Sequence, residues 1–330
     1  MLQKTYDVIA LGELLIDFTP AGKNAQGSSL FAANPGGAPG NVLALASRLG
    51  LETVLIAKVG TDSFGTYLEG VLDSIGVDKK GLARTADANT TLAFVHLNEN
   101  GDRSFSFYRK PGADMLLGVD DLDAEMLKNT RIFHFGSVSM TGDPSRGTTF
   151  KAADTAKRSG ALVSFDPNLR PALWESLDEA KAQILKGLAY ADILKVSEEE
   201  LQFITGEDGL ESGCRLLADK YGIPVILVTL GPKGCFYRHG AWTGSAPAYK
   251  VRTVDTTGAG DAFLGAFLYK IAERGANLAG ITPEEMKGMV AFANAAGSLA
   301  TSVMGAIPAM PTKAEIEKCM QENILLQEDV

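Results

Sequence analysis

The chain has 330 residues, of which 31 are Lys or Arg and 40 are Asp or Glu, so its formal charge is −9 at neutral pH. This acidic balance argues against a general nucleic-acid binder, which needs a basic surface, although backbone amides can still bind an anionic ligand. Hydrophobic residues make up 45% and charged residues 22%, which is typical of a globular protein and argues against disorder. The 36 glycines exceed the usual share of roughly 7% and, without a repeat, indicate turns and close backbone approaches.

The first part of the chain alternates between apolar runs and helical patterns. Buried strands are predicted for residues 6–12 and 53–59, and helices for residues 40–49 and 62–75. Asp62 or Ser63 is expected to cap the second helix.

Two segments do not fit this alternation. Residues 92–97 and 103–109 have alternating patterns on either side of Asn98-Glu99-Asn100-Gly101, which predicts a β-hairpin. The region around residues 16–31 is also rich in β-forming residues. We predict that segments of about 14–34 and 90–112 form a small β-sheet lid on a single domain that spans residues 1–330.

Beyond the hairpin, strand-like runs alternate regularly with helical stretches. Strands are predicted for residues 132–138, 161–166, 192–196 and 225–230, and helices for 145–159, 177–190 and 211–220. Such alternation predicts an α/β fold with a mostly parallel sheet and helices on both faces.

The last third is predicted to contain a strand at residues 249–254 and helices at 260–274, 283–301 and 313–321. Residues 288–312 carry no charge, and this length could span a membrane. Their Ala, Gly, Ser, Thr and Asn content, together with Pro308, favours a buried helix instead.

Residues 254–265, VDTTGAGDAFLG, carry the strongest chemical signal. Gly258, Ala259 and Gly260 leave the amides of the first helical turn uncovered, and a helix N-terminus with free N–H donors can cradle an anion. Asp261, in the same turn, could accept a proton from a hydroxyl that attacks a bound phosphate. The alternative is a simple Asp cap that follows a glycine turn.

DTTGAGDAFLGAF resembles the C-terminal signature of the ribokinase-like sugar kinases, the PfkB carbohydrate kinase family. NPGGAPGN, at residues 34–41, is similar to the N-terminal signature, and the likeness extends over essentially the whole chain. Within the family, LGELLIDF, PGGAPGN, DPNLR and KVSEEE are most similar to bacterial and plant fructokinases. The resemblance implies a ribokinase-like three-layer α/β/α fold with a small β lid. It also implies transfer of a phosphoryl group from ATP, with Mg²⁺, to the primary hydroxyl of fructose, which gives fructose 6-phosphate.

The resemblance also implies roles for individual residues. Asp261 would be the general base, and the amides of Gly258, Ala259 and Gly260 would stabilise the transferring phosphoryl group. The residues implied to bind the sugar are Asp17, Gly36, Gly37, Asn41, Arg109, Asp166, Asn168 and Arg170. The residue types agree, because glycines let backbone approach a ligand while Asp and Asn can hold hydroxyls. Two readings without a ligand stay open: Asp17 as a surface residue that closes a strand, and residues 166–170 as a polar loop with an Asp–Arg pair.

The implied nucleotide and metal residues lie in the second half of the chain. Nucleotide contacts are implied for Ser197, Thr229, Gly231, Lys233, Gly234 and Asn294. Many relatives carry N-x-x-E where this chain has Ser197-Glu198-Glu199-Glu200, so Glu200 would act on the water shell of Mg²⁺ while the asparagine is replaced. The implied potassium ligands are Asp255, Thr257, Ala300 and Gly305. Two alternatives remain, a helix start whose acids complement its dipole at 197–200 and a buried, capped amide at Asn294.

Several functional alternatives remain open. The acceptor could be 2-keto-3-deoxygluconate, ribose, a nucleoside or another ketohexose, or the chain could be a non-catalytic sugar-binding regulator. The sequence lacks GxxxxGK[ST], and no GxGxxG follows Gly12, which argues against a P-loop enzyme and a dinucleotide binder. The widely spaced Cys214, Cys235 and Cys319 predict a reducing, cytoplasmic location. We expect a sugar and ATP as partners, no nucleic acid or membrane, and a homodimer formed through the lid.

Overall fold

The computed structural model of the chain describes residues 4–97 and 103–322. Its strands are β1 (Tyr6–Leu11), β2 (Leu15–Lys23), β3 (Ser29–Gly36), β4 (Thr53–Gly60), β5 (Leu82–Thr85), β6 (Leu92–Leu97), β7 (Arg103–Tyr108), β8 (Thr130–Gly136), β9 (Leu162–Asp166), β10 (Ile193–Ser197), β11 (Val225–Thr229), β12 (Cys235–His239) and β13 (Trp242–Ala246). Its helices are α1 (Ala38–Arg48), α2 (Ser63–Ser74), α3 (Ala124–Lys128), α4 (Ser145–Arg158), α5 (Leu177–Leu188), α6 (Glu198–Thr205), α7 (Leu210–Tyr221), α8 (Ala259–Glu273), α9 (Pro283–Ala300) and α10 (Lys313–Glu322).

The large sheet has nine strands in the order β13-β12-β11-β10-β9-β8-β1-β4-β5. Neighbouring strands pair in parallel from β11 through β10, β9, β8, β1 and β4 to β5. At the other edge, β12 and β13 are added by antiparallel pairing. Successive residues of β1 point to opposite faces. Val8 and Ala10 pack with α1, α2, α8, α9 and α10, whereas Ile9 and Leu11 pack with α3 to α7. The predicted parallel sheet with helices on both faces is therefore confirmed.

The small sheet has four strands in the order β3-β2-β6-β7, and we call it the lid sheet. The predicted hairpin strands β6 and β7 pair antiparallel, while the turn Asn98-Glu99-Asn100-Gly101 lies outside the described residues. On one side of this sheet Phe18 stacks on Phe94, with ring centroids 4.7 Å apart, and meets Phe64 of α2 edge-on at 5.7 Å. These aromatic contacts attach the lid sheet to the main body.

The helix starts follow local sequence signals. Asp62 caps α2 by accepting a hydrogen bond from the amide of Gly65 at 2.9 Å, as predicted.

Within the described ranges, no helix is both long and apolar enough to cross a membrane. The uncharged run from residue 288 forms most of α9, and the side chains of Val290, Ala293 and Ala296 are fully buried there. The prediction of a buried helix is confirmed.

The predicted strand at residues 249–254 is wrong. The amide of Tyr249 donates to Ser298 Oγ at 3.1 Å, and the amides of Val254 and Asp255 donate to the carbonyl of Thr301. These bonds join the segment to the end of α9, and apart from a single β-bridge residue, Tyr249, residues 249–254 form no strand. The edge strands that complete the sheet are β12 and β13, which the sequence patterns did not reveal because both are short and partly exposed.

Candidate active site

Two cavities meet at the turn that precedes α8. The first, about 340 Å³, lies beneath the lid sheet and is called the lid cavity. It is lined by Glu13, Leu15, Asp17, Gly37, Ala38, Asn41, Phe107, Arg109, Val138, Asn168, Arg170, Leu173, Lys195, Thr256, Thr257, Gly258, Gly260 and Asp261. The second, about 390 Å³, lies beside α8 and α9 and is called the helix cavity. Both cavities share Thr256 and Gly260, so a group bound in one can reach a group bound in the other.

The turn before α8 is built around glycine. Gly258 has φ +77°, and a Cβ atom there would lie 2.7 Å from the Cβ of Ala306. No side chain caps the first turn of α8, although the amide of Ala259 donates to the carbonyl of Thr256 at 3.3 Å. Since Asp261 does not cap the helix, the alternative of a simple Asp cap is wrong. The turn has the geometry of an anion cradle.

Asp261 is buried at the floor of the lid cavity. Its Oδ2 accepts a hydrogen bond from Asn41 Nδ2 at 2.8 Å, which joins the starts of α1 and α8. Burial raises the pKa of Asp261, while the nearby ammonium of Lys195 and the bond from Asn41 oppose that rise. A carboxylate whose pKa is raised is a stronger proton acceptor, and its second oxygen is left to meet a ligand.

Lys195 is a site residue that sequence reasoning missed. Its ammonium donates to Asp166 Oδ2 at 2.7 Å, and both side chains are buried. Burial works against its charge, but Asp166 and Glu200 outweigh burial and hold the pKa of Lys195 above its usual value. The signal was available: a single charge in the otherwise apolar run of β10 needs a reason. The alternative for residues 166–170, a polar loop with an Asp–Arg pair, does not describe Asp166, which pairs with Lys195 instead.

The lid sheet supplies a carboxylate to the cavity. Asp17 lies on β2, and burial raises its pKa to about 6 although the charge of Arg170 opposes the rise. A Cβ atom at Gly36 would lie 2.1 Å from Asp17 Oδ2, so the glycine makes room for this carboxylate. Asp17 is therefore not a surface residue that merely closes a strand.

Glu13, which was also missed, lines the lid cavity together with Asp17. Its Oε1 accepts from the amide of Ala38 at 2.9 Å, at the start of α1. Burial raises the pKa of Glu13 to about 7. Gly37 has φ +114°, and a Cβ atom there would lie 2.3 Å from the carbonyl oxygen of Glu13. The paired glycines thus let the chain fold tightly around two acids.

Arg109 lies in the wall of the lid cavity, and protein acceptors engage its guanidinium. Nε donates to Asp114 Oδ2 at 2.7 Å, Nη1 to Thr141 Oγ1 at 2.8 Å, and Nη2 to the carbonyl of Val138 at 3.1 Å. These bonds order the wall between the lid sheet and the main body.

Glu200 braces the loop that follows β9. One of its carboxylate oxygens accepts from the amide of Leu169 at 2.7 Å, and the other from the amide of Ser197 at 2.8 Å. Ser197 Oγ in return accepts from the amide of Glu200, which completes a capping box at the start of α6. In the same loop Asn168 has φ +45°, which places strained backbone at the cavity edge.

The helix cavity has a different chemical character. Four predicted nucleotide residues line it, namely Thr229, Gly231, Gly234 and Asn294. Asn294 Nδ2 donates to the carbonyls of Ala246 at 2.7 Å and Pro247 at 3.2 Å, so it is also the buried, capped amide of the alternative reading. Ser197 and the exposed Lys233 line neither cavity. The predictions missed several wall residues: Pro232, Ala248, Tyr249, Val251, Thr253, Phe263, Gly297, Ser298 and Thr301.

The predicted potassium residues gather behind the turn. Asp255 Oδ1 accepts from the amide and hydroxyl of Thr257 at 2.9 and 2.7 Å, and Oδ2 accepts from the amide of Gly305 at 3.0 Å. Ala300 is the last residue of α9, next to Thr301, whose carbonyl accepts from the Asp255 amide. This loop offers oxygen ligands, which suit hard cations such as K⁺ and Mg²⁺. Residues 4–97 and 103–322 contain no group of three or more His, Cys, Asp and Glu side chains that could hold a metal by itself.

Comparison with known proteins gives a consistent result. The pattern of the pfkB family carbohydrate kinases matches residues 6–313. Fructokinase-1 of Zea mays is 44% identical over 317 residues, which covers 96% of this chain and 98% of the maize protein. The crystal structure of fructokinase with bound ATP from Xylella fastidiosa has a TM-score of 0.88 and 34% identity, covering 96% of this chain and 98% of that one. Fructokinase from Vibrio cholerae O395, in a form with fructose, ADP and calcium ion bound, has a TM-score of 0.85 and 34% identity, covering 96% and 99%.

Proposed function

The chain belongs to the pfkB family of carbohydrate kinases, and from this premise we propose that it transfers the γ-phosphoryl group of ATP to fructose, which gives fructose 6-phosphate. The observation that carries the proposal is that the two cavities meet at Gly260, in the first turn of α8. No side chain caps this turn, and the buried Asp261 lines the lid cavity in the same turn. Fructokinases at 44% identity over almost the whole chain support fructose as the acceptor.

The sugar would occupy the lid cavity. There the Asp17 carboxylate can accept hydrogen bonds from sugar hydroxyls, and the positively charged Arg170 balances it. Asn41 holds one oxygen of Asp261, so the other oxygen is available to the primary hydroxyl. Gly37 allows the backbone at the start of α1 to approach the sugar closely.

The nucleotide would occupy the helix cavity, with its γ-phosphate at the 258–260 turn. As the sugar oxygen forms its bond to phosphorus, the bond from phosphorus to the β–γ bridging oxygen breaks, and ADP leaves with that electron pair. The proton of the attacking hydroxyl passes to Asp261. Amides of Gly258, Ala259 and Gly260 would stabilise the negative charge on the phosphoryl oxygens.

Metal ions would complete the site. Mg²⁺ bound to the ATP phosphates would supply charge neutralisation, and we propose that Glu200 holds the waters of this ion. Both Glu200 oxygens already accept backbone amides, so the carboxylate is oriented before any ion arrives. The residues we propose for K⁺ are Asp255, Thr257, Ala300 and Gly305. Asp255 accepts hydrogen bonds from the amides of Thr257 and Gly305, close to the turn before α8. A bound K⁺ would therefore help to order the anion cradle.

We also propose a homodimer formed through the lid sheet, in a reducing, cytoplasmic setting that fits the three unpaired thiols. Leu30 and Phe31 of the lid sheet are 43% and 42% exposed, and Tyr108 is 67% exposed. Apolar surface of this kind favours burial by a second subunit. A sedimentation experiment that gives the monomer mass at every concentration would refute the dimer.

A sugar panel tests the proposed function. Purified protein with ATP and Mg²⁺ is given fructose, ribose, 2-keto-3-deoxygluconate or a nucleoside, and ADP release is measured. We expect the highest kcat/KM with fructose. Fast turnover of 2-keto-3-deoxygluconate beside slow turnover of fructose would overturn the substrate but not the reaction class. No sugar-stimulated ADP release from any acceptor would instead identify a non-catalytic sugar-binding regulator.

A further inference from the structure

Lys195 places a positive charge at the point where the two cavities meet. The residue is the middle one of β10 and lines the lid cavity, although only 7% of its surface is exposed. A Cβ atom at Gly260 would lie 3.0 Å from its ammonium nitrogen, so the ammonium rests directly against the first turn of α8. Gly260 lines both cavities, and the ammonium therefore sits next to the path of the transferred group.

The hydrogen bonds of this ammonium are incomplete. A lysine ammonium carries three N–H donors, and within the described part of the chain Lys195 donates to Asp166 alone. A buried cation gains from having each donor satisfied, because burial removes the water that would otherwise bind it. The donors beyond the one given to Asp166 are suited to an anionic ligand in the cavity.

Arg109, a second buried cation in the same cavity, has more protein partners than Lys195. It is buried like Lys195, but its Nε, Nη1 and Nη2 atoms all donate to protein acceptors, including the carboxylate of Asp114. Asp114 and Thr141 hold that guanidinium within the wall. Lys195 has one such partner and faces Gly260, so the two cations have different surroundings and should have different tasks.

We infer that Lys195 is a catalytic residue whose ammonium contacts the phosphoryl group as it passes from ATP to the sugar. This inference rests on the proposed kinase function and adds a side chain to a cradle otherwise made of backbone amides. The amides of residues 258–260 would meet the phosphoryl oxygens from α8, and Lys195 would meet them from β10. A compact point charge can follow a phosphoryl group that moves between two oxygens.

Asp166 has a supporting part in this arrangement. Its carboxylate holds the ammonium against Gly260, and the same carboxylate accepts from the amide of Asn168 at 3.1 Å. The charge of Asp166 also helps to keep Lys195 protonated. Asp166 is thus a positioning residue for Lys195.

The test separates phosphoryl contact from simple charge balance. Lys195→Met, Asp166→Asn and the double variant are compared with wild type on the best sugar of the panel. We expect Lys195→Met to lower kcat about 10²–10³-fold, as expected for the loss of one donor to the developing charge, with sugar KM changed less than about threefold. The double variant, which no longer buries an unpaired Asp166, should fold and remain slower than Asp166→Asn by a similar factor.

Binding measurements supply a second readout. Titration calorimetry with fructose and with fructose 6-phosphate should show that Lys195→Met binds the sugar normally and the phosphorylated product about tenfold more weakly, a loss of about 1.4 kcal/mol.

Lys58→Met is the matched control, because Lys58 also lies on a strand and pairs with an aspartate, Asp121, at 2.7 Å, but lines neither cavity. That variant should keep wild-type kcat.

Two results would overturn the inference. Recovery of activity in the double variant to the level of Asp166→Asn would mean that Lys195 only neutralises Asp166. Equal losses of fructose and fructose 6-phosphate affinity would mean that it only shapes the sugar pocket. Wild-type turnover of the sugar panel reports on the proposed function separately, because the Lys195 result is a ratio measured on whichever sugar the wild type phosphorylates best.

Discussion

The lid cavity and the helix cavity are similar in volume, but they are built from different chemistry. Charged side chains lining the lid cavity are Glu13, Asp17, Arg109, Arg170, Lys195 and Asp261. Of the described residues that line the helix cavity, none carries a charge. Glycines, hydroxyls and apolar side chains make up that wall instead, with one buried amide, Asn294. The cavity proposed for the neutral sugar is thus the charged one, and the cavity proposed for the anionic nucleotide is not.

The difference follows from what each ligand requires. Recognition of a sugar needs acceptors and donors at fixed positions for several hydroxyls, and its activation needs a base. A nucleotide brings its own charge and its own magnesium, so its site can rely on a helix N-terminus and on close backbone approach. In this chain the α8 start serves both cavities, because Gly260 lines each of them.

The largest effect is expected where the cavities meet. Asp261→Asn should lower kcat about 10³-fold, because an amide cannot accept the hydroxyl proton, while ATP binding stays near normal. Initial rates of ADP release and calorimetric ATP binding would measure the two. Asp121→Asn, at a partly buried ion pair outside both cavities, is the control and should keep wild-type kcat. Near-normal kcat in Asp261→Asn would contradict the mechanism.

A smaller effect should appear as a pH dependence of the lid cavity. The pKa of Asp17 is about 6, so its carboxylate is ionised above that pH and protonated below it. A protonated Asp17 loses acceptor capacity, so kcat/KM for the sugar should fall as pH decreases, by about tenfold from pH 7 to pH 5. The measurement is kcat/KM for fructose at saturating ATP across this range.

Asp17→Asn provides the control for this pH dependence. The variant should have a lower kcat/KM at pH 7, and its kcat/KM should decline less steeply toward pH 5. Of the two lid-cavity acids Asp17 and Glu13, only Glu13, with a pKa of about 7, would still titrate. An unchanged pH profile in Asp17→Asn would show that another group controls the acid side.

The smallest effect is expected in the uncharged cavity. Asn294→Ala removes the amide that serves the carbonyls of Ala246 and Pro247, and unsatisfied buried carbonyls cost about 1–3 kcal/mol. We expect KM for ATP to rise about three- to fivefold and the melting temperature to fall, with KM for fructose unchanged. Asn277→Ala, at an exposed turn, should change none of these. A rise in fructose KM without any rise in ATP KM would contradict the assignment of the helix cavity.

Much of the site could be predicted because its signals are local. Gly258 and Gly37 adopt positive φ values that other residues avoid, and Asp261 follows a glycine-rich turn at a helix start. Such features depend on a few neighbouring residues, so the sequence displays them directly. The strands around β1 could likewise be predicted from continuous apolar runs.

The residues that were missed depend on contacts between distant segments. Lys195 reads as one charge in a strand until the fold places Asp166 and Gly260 beside it. Glu13 reads as a polar residue after a strand until α1 and the lid sheet bury it. The segment 249–254 has a strand-like composition, but the amides of Tyr249 and Val254 donate to residues at the end of α9. These partners are close only in the folded chain, so the sequence pattern does not reveal them.

The sequence by itself determined the layered α/β architecture and the glycine turn that precedes Asp261, the proposed base, since periodicity and backbone conformation are properties of short segments. Only the tertiary structure decided which charges meet. Asn41 and Asp261 are 220 residues apart in the chain and 2.8 Å apart in the fold. The pKa of Asp17 and the charge of Lys195 likewise depend on burial and on partners from other elements, because electrostatic energies are set by distance and desolvation in space.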